Sequence, residues 1–367
     1  LSRFTKTTLS FFPLVAGQLL CVYALMKRNE SIAWREATTT FLFFAVAGSI
    51  SLISQIYNIE GELSSFLFTW MLLCLPLIYV MRSNMASLLY IIGITYYASE
   101  VGYFHYPHHE SYWYWLLLIG VLPHYYFMYK ENVSRNFLSF HNWLLPLSIL
   151  FALGTISDNE EDLLLLAYVN LLAVFYILGN TIFYKSQKLI TNGFIIIGSV
   201  GTVCLLLVLS FSEFWDELDR DKNMLWHYYT PEWMAAAILF ILAIAILISV
   251  RGKKLFFDFD LMEIVFIIFF LLFNIGMSNN LLPVIIINLL LFALGVSKIL
   301  RGAKLNHLGI LNYGLLIIAA LITCRFFDID LSYLARGILF VLVGGGFFAG
   351  NYWFIQKRKS KEIKPEA

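Results

Sequence analysis

The sequence predicts an all-α fold: a polytopic integral membrane bundle of about thirteen transmembrane helices, roughly 11–14. Three observations predict it. The chain of 367 residues is 60% hydrophobic and only 13% charged, against about 25% charged in a soluble domain. Its apolar residues fall into runs long enough to cross ~30 Å of hydrocarbon. Its basic residues alternate between the loops that join those runs, as the positive-inside rule requires.

The runs cover 8–26, 38–56, 65–81, 85–100, 112–129, 138–156, 163–184, 189–211, 233–250, 262–277, 281–298, 307–324 and 332–355. They do not alternate in polarity, which excludes the strands of a membrane β-barrel. The fourth and tenth are short and are the first candidates for re-entrant segments. Residues 1–356 are expected to form one membrane domain, and residues 357–367 a basic tail.

Assigning alternate loops to two sides puts 19 of the 25 Lys and Arg on one side, tail included. That side is expected to be cytoplasmic, which places the protein in the inner (plasma) membrane with its C-terminus inside. Acidic residues divide the other way. Leu1, Arg3 and Lys6 then lie outside, against the rule, and a further helix upstream of Leu1 would restore it.

Residues 52–67, LISQIYNIEGELSSFL, and 321–334, LITCRFFDIDLSYL, align with a two-residue gap. The alignment suggests a weak repeat of 8–81 in 281–355, a construction known in transporters. Chance similarity between apolar stretches explains it equally well.

Trp34-Arg35-Glu36-Ala37, followed by the helix ending Leu52-Ile53-Ser54-Gln55-Ile56-Tyr57-Asn58-Ile59 and by one with Trp70 and Leu75-Pro76, resembles a bacterial family of predicted multi-pass membrane proteins of unknown function. In that family a Gly-Gln-Ile-Tyr-His-Ile type segment joins two such helices. Ser54 stands here where Gly is usual, and Asn58 where His is usual. The resemblance covers residues 34–80. It implies architecture, with another helix usually preceding the first, and no chemistry.

Candidate sites are few. His105, His108, His109 and Glu110 in GYFHYPHHESYWYW carry ligand types suited to zinc. Pro107 and the surrounding Tyr and Trp favour an interfacial aromatic belt instead, so no metal is assigned. Asp158, Glu160, Glu161 and Asp162 read as a solvated turn. Residues 212–232 interleave Phe214, Trp215, Leu218 and Leu225 with charges, as in a short amphipathic helix on the outer surface.

Arg325, Asp328, Asp330 and Arg336 gather around the last outer turn. An intramembrane Arg336 calls for a carboxylate partner, or it snorkels to the interface. Gln55, a turn inside its helix, reads as a helix contact or as part of a substrate site. Gly346 and Gly350 form a GxxxG spacing suited to close packing, within the chain or with a partner. Asp258, Asp260 and Glu263 read as an exposed loop at a helix start. The cysteines, Cys21, Cys74, Cys204 and Cys324, share no pair spacing and read as small buried hydrophobes.

No phosphate-binding loop, dinucleotide fingerprint, HExxH or GxSxG motif is present. Catalysis is therefore disfavoured, no cofactor is implied, and no basic block suits nucleic acid apart from the short C-terminal tail. Three function classes stand. They are gradient-driven transport of a small solute or lipid, an envelope assembly, structural or sensor role, and a membrane-embedded enzyme.

Overall fold

A computed structural model describes residues 3–28, 30–104, 111–131, 135–157, 161–181, 189–220, 230–251, 260–276 and 279–328, with scattered positions between 337 and 356. These residues are helical, and no strand occurs among them. Eight helices are long and apolar enough to cross a membrane. They are α1 (Arg3–Lys27), α2 (Ile32–Tyr57), α3 (Leu63–Met81), α6 (Arg135–Gly154), α7 (Glu161–Thr181), α10 (Pro231–Arg251), α12 (Leu281–Lys304) and α13 (Leu308–Asp328). The others are α4 (Asn84–Ser99), α5 (Tyr112–Glu131), α8 (Gly193–Val208), α9 (Glu213–Arg220) and α11 (Val265–Gly276). The polytopic helical class is therefore as expected. The thirteenth run, 332–355, lies largely outside the described residues.

The chain divides into two compact units. One comprises Leu1–Leu164 and Leu178–Ile197, the other Leu165–Ile177 and Gly198–Ala367.

In the first unit α1 and α2 form a hairpin. Ser49 donates its hydroxyl to the Ser10 carbonyl at 3.0 Å, and Cys21, Leu42 and Met81 are buried together. Ser31 caps α2, and Asn58 ends it in the left-handed conformation at φ 50°, which Asn tolerates better than most residues. The short α4 is the central helix of this unit, packed on α2, α3, α5 and α6. Small residues allow that position: Ala86, Ser87, Gly93 and Ala98 are all buried. A π-helical turn, Glu100–Phe104, extends it. Its short apolar run thus ends where the helix type changes.

Hydroxyl, amide and imidazole groups tie α4, α5 and α6 together. Ser87 bonds His141 at 2.8 Å, and Ser148 bonds both Thr95 at 2.5 Å and Tyr114 at 2.7 Å. Tyr125 donates to Asn142 at 2.7 Å.

In the second unit the middle of α7 is buried without interruption from Val169 to Ile177. Asn170 donates to the Ala236 carbonyl of α10 at 3.0 Å. Gly198 lets α8 approach closely: a β-carbon there would lie 2.5 Å from the Tyr176 nitrogen. The α12–α13 hairpin closes on similar terms, since a β-carbon at Gly314 would meet the Gly295 carbonyl at 2.6 Å. The amphipathic helix expected within 212–232 exists as α9, and it is anchored by one side chain. Trp215 is fully buried, and its indole donates to the Leu209 carbonyl at 2.8 Å.

Candidate functional site: a buried ionic cluster

The buried side of α12 is written in its sequence. Pro283, Ile287, Leu291, Leu294 and Gly302 are buried at helical spacing, and so is Lys298. Lys298 therefore points along the apolar stripe, about two turns before the helix ends at Lys304. An ammonium there needs a counter-charge.

Asp260 supplies it. Lys298 Nζ donates to Asp260 Oδ2 at 2.8 Å and to Oδ1 at 3.0 Å. It also donates to the Tyr176 hydroxyl at 2.8 Å, and Tyr176 in turn donates to Asp260 Oδ2 at 2.5 Å. Arg301, one turn further along α12, pairs with Oδ2 from the side, its side chain 38% exposed. The Lys298 and Asp260 side chains are only 6% and 4% exposed.

Local structure fixes the carboxylate. Asp260 caps a 3-10 turn, Leu261–Glu263, and accepts the Met262 backbone N–H at 3.3 Å. Burial pushes its carboxyl up. The Lys298 charge, hydrogen bonds from Lys298 and Tyr176, and the Arg301 charge together outweigh burial and hold it below the ordinary carboxylate range. The Glu263 side chain, fully buried, lies in the same region. Nearby, Ser199 donates to the Tyr313 hydroxyl at 2.8 Å. The arrangement is a carboxylate clamped by two cations and a phenol, with one cation reaching water.

This corrects the sequence reading, which made Asp260 and Glu263 an exposed loop. Both are buried. Lys298 closes the apolar run 281–298 and counts only as one of the basic residues of the cytoplasmic side, and Tyr176 is not singled out. Following the stripe 287, 291, 294 one step further would have found the lysine.

The other candidates stand apart from it. Gln55 is exposed on α2 and, among the described residues, reaches Ser51 of its own helix, at 3.4 Å. Arg325 donates to the Ser210 hydroxyl at 3.0 Å and lies over the Phe211 ring at 4.4 Å. Asp328 ends α13, and its side chain is outside the described residues, as are Asp330 and Arg336. His105, His108, His109 and Glu110 lie outside them too, as does the acidic turn at 158–160. Gly350 packs toward Leu315, whereas Gly346 faces open space. The four cysteines are free, with Cys21 and Cys74 buried, Cys324 half-buried and Cys204 exposed, contrary to expectation.

Fold and composition define a multi-pass helical membrane protein, with lipid as its surroundings. The profile of a family described as a predicted membrane protein (DUF2157), of unknown function, matches residues 1–87. That span contains the 34–80 segment on which the resemblance rests. Searches of curated proteins and of solved structures return no match.

Proposed function

We propose that the protein moves a small solute or a lipid across the membrane, driven by an ion gradient, with the Tyr176, Asp260, Lys298 and Arg301 cluster as its coupling site. The buried Lys298–Asp260 pair carries this reading. Ionisable groups inside a membrane bundle are expensive and mark ion and proton pathways by default. A buried pair adds little net stability over apolar packing, so holding the bundle together is a weak reason for it. A substrate anion or a proton arriving at this site would trade one partner of Asp260 or Lys298 for another. That exchange can link occupancy to conformation. The absence of a nucleotide motif leaves a gradient as the energy source. In this reading the Lys- and Arg-rich loops and the 357–367 tail face the cytoplasm, and the membrane is the inner one.

A second reading has one observation in its favour: Asp260 also caps a turn. The cluster would then anchor a loop in a non-catalytic structural, assembly or sensor protein. Gly346, with its open side, would be a contact for a membrane partner or a second copy.

Proteoliposomes under an imposed pH gradient separate the two. Transport predicts proton-linked solute flux that Asp260→Asn and Lys298→Met abolish and Gln55→Ala leaves intact. A reconstituted protein that moves no member of a broad solute panel sinks the transport reading and favours the structural one.

A further inference from the structure

The first unit contains a cleft of about 530 Å³ with a mixed basic and apolar lining, far from the cluster in sequence and distinct from it in chemistry. Arg35 at the start of α2 and Arg82 at the end of α3 both line it, with Asn84, His124, Tyr79 and Phe127. Two guanidinium groups facing one cleft would ordinarily be balanced by a carboxylate. The candidate is Glu36, beside the cleft, and its oxygens are taken up by the start of α4. Its two oxygens accept the Ser83 hydroxyl and the backbone N–H groups of Asn84, at 2.9 Å, and Met85, at 3.0 Å, which tie it to the first turn of α4.

Arg35 and Arg82 form no ion pair among the described residues. Arg35 Nε is shielded from solvent and has no hydrogen-bond partner there. A shielded guanidinium N–H without an acceptor is rare and costly. The rest of the cleft is shaped by fixed groups. His124 Nε2 bonds Asn84 Oδ1 at 3.2 Å, and its ring stands edge-on to Tyr79 with centroids 6.3 Å apart. Tyr79 is itself held by the Gly120 carbonyl. Phe127, 54% exposed, gives the mouth an apolar lip.

Planar guanidinium forks match phosphate oxygens in pairs. Basic pockets between membrane helices, on the side where basic loops gather, suit phosphorylated headgroups. We infer that this cleft binds a phosphate group through Arg35 and Arg82, with the phosphodiester of an anionic lipid and free phosphate as its two sources.

The test uses the full chain, purified in detergent and delipidated. Retention of phosphatidylglycerol and of phosphatidylcholine is measured by native mass spectrometry, and protection by inorganic phosphate is measured by thermal unfolding. The inference expects phosphatidylglycerol, inorganic phosphate, or both to bind in preference to phosphatidylcholine. Which of them binds identifies the source. Arg35→Gln and Arg82→Asn should each weaken that binding about tenfold or more. Asn suits position 82, whose φ is 47°, so Arg82→Asn serves even where Arg35→Gln fails to fold. Equal retention of the two lipids together with no phosphate effect overturns the inference. Unchanged binding in the folded Arg82→Asn variant overturns it as well.

Discussion

The buried helix contacts of the two units differ in chemistry, even though in the first unit the Glu36 carboxylate also ties α2 to the first turn of α4. In the first, α4, α5 and α6 are joined by Ser87–His141 and Thr95–Ser148–Tyr114 contacts, with no carboxylate or ammonium among these groups. In the second, α7, α12 and the turn before α11 meet at a buried carboxylate, an ammonium, a guanidinium and a phenol. Both sets are short, and all their members except Thr95 and Arg301 are buried. The first shows that this chain can fix helix positions with weak, uncharged bonds averaging about 0.6 kcal/mol each in membrane bundles. The second therefore has more electrostatic equipment than positioning requires. That surplus is the ground on which coupling is proposed.

The largest expected effect is at Asp260. Asp260→Ala strands the Lys298 ammonium in an apolar stripe and is expected to cost about 3–5 kcal/mol. Denaturant unfolding in detergent micelles measures it. Adding Lys298→Met should recover most of the loss, because both buried charges are then gone. A single variant that costs no more than a hydroxyl deletion in the first unit would break the comparison. The pH dependence has a definite sign. The folded carboxyl lies below its ordinary range, so its contribution is complete above about pH 4 and fades as pH falls through the lowered value. Acid titration of the wild type should show this loss, and Asp260→Asn should lack it.

Next comes Tyr176→Phe. It removes the hydroxyl that both accepts from Lys298 and donates to Asp260, but leaves the direct ion pair. A cost of about 1–3 kcal/mol is expected. Flux, if present, should change more than stability does, since the ion pair survives but its proton-bearing bridge does not. Equal losses in both would favour the anchoring role. Ser148→Ala is the counterpart in the first unit. It deletes two interhelical bonds, and about 1 kcal/mol is expected, with no effect on flux.

Much of the fold was legible because membrane helices announce themselves by length and apolarity. Every run up to residue 324 has a helix within it. The centrality of α4 was hidden: Ser87, Gly93 and Ala98 lower its apparent apolar length, and those same residues make it fit among four neighbours. The cluster was hidden for a different reason. Lys298 and Asp260 are 38 residues apart, and Lys298 and Tyr176 are 122 apart, so no local pattern joins them. Asp260 follows a basic stretch, which made solvent the natural partner to assume. Lys298 sits where an apolar run meets Arg301 and Lys304, and was counted with them. Its position on the buried stripe of α12 was the one available sign.

The smallest expected effect is at Gln55, which the sequence offers as a helix contact or as part of a substrate site. Among the described residues its amide reaches Ser51 on the same helix, from an exposed position. Such a bond competes with other partners in either solvent, and its loss leaves nothing buried unsatisfied. Gln55→Ala is therefore expected to change stability by no more than about 0.5 kcal/mol and to leave flux unaltered. The turn beyond it depends instead on Asn58 at φ 50° and on the Ser54 hydroxyl, which donates to the Ile59 carbonyl at 2.9 Å. Ser54→Ala should consequently cost more than Gln55→Ala, by the worth of one hydrogen bond. If Gln55→Ala instead abolishes flux while Asp260→Asn spares it, the charged surplus of the second unit is structural and the pathway runs through the first.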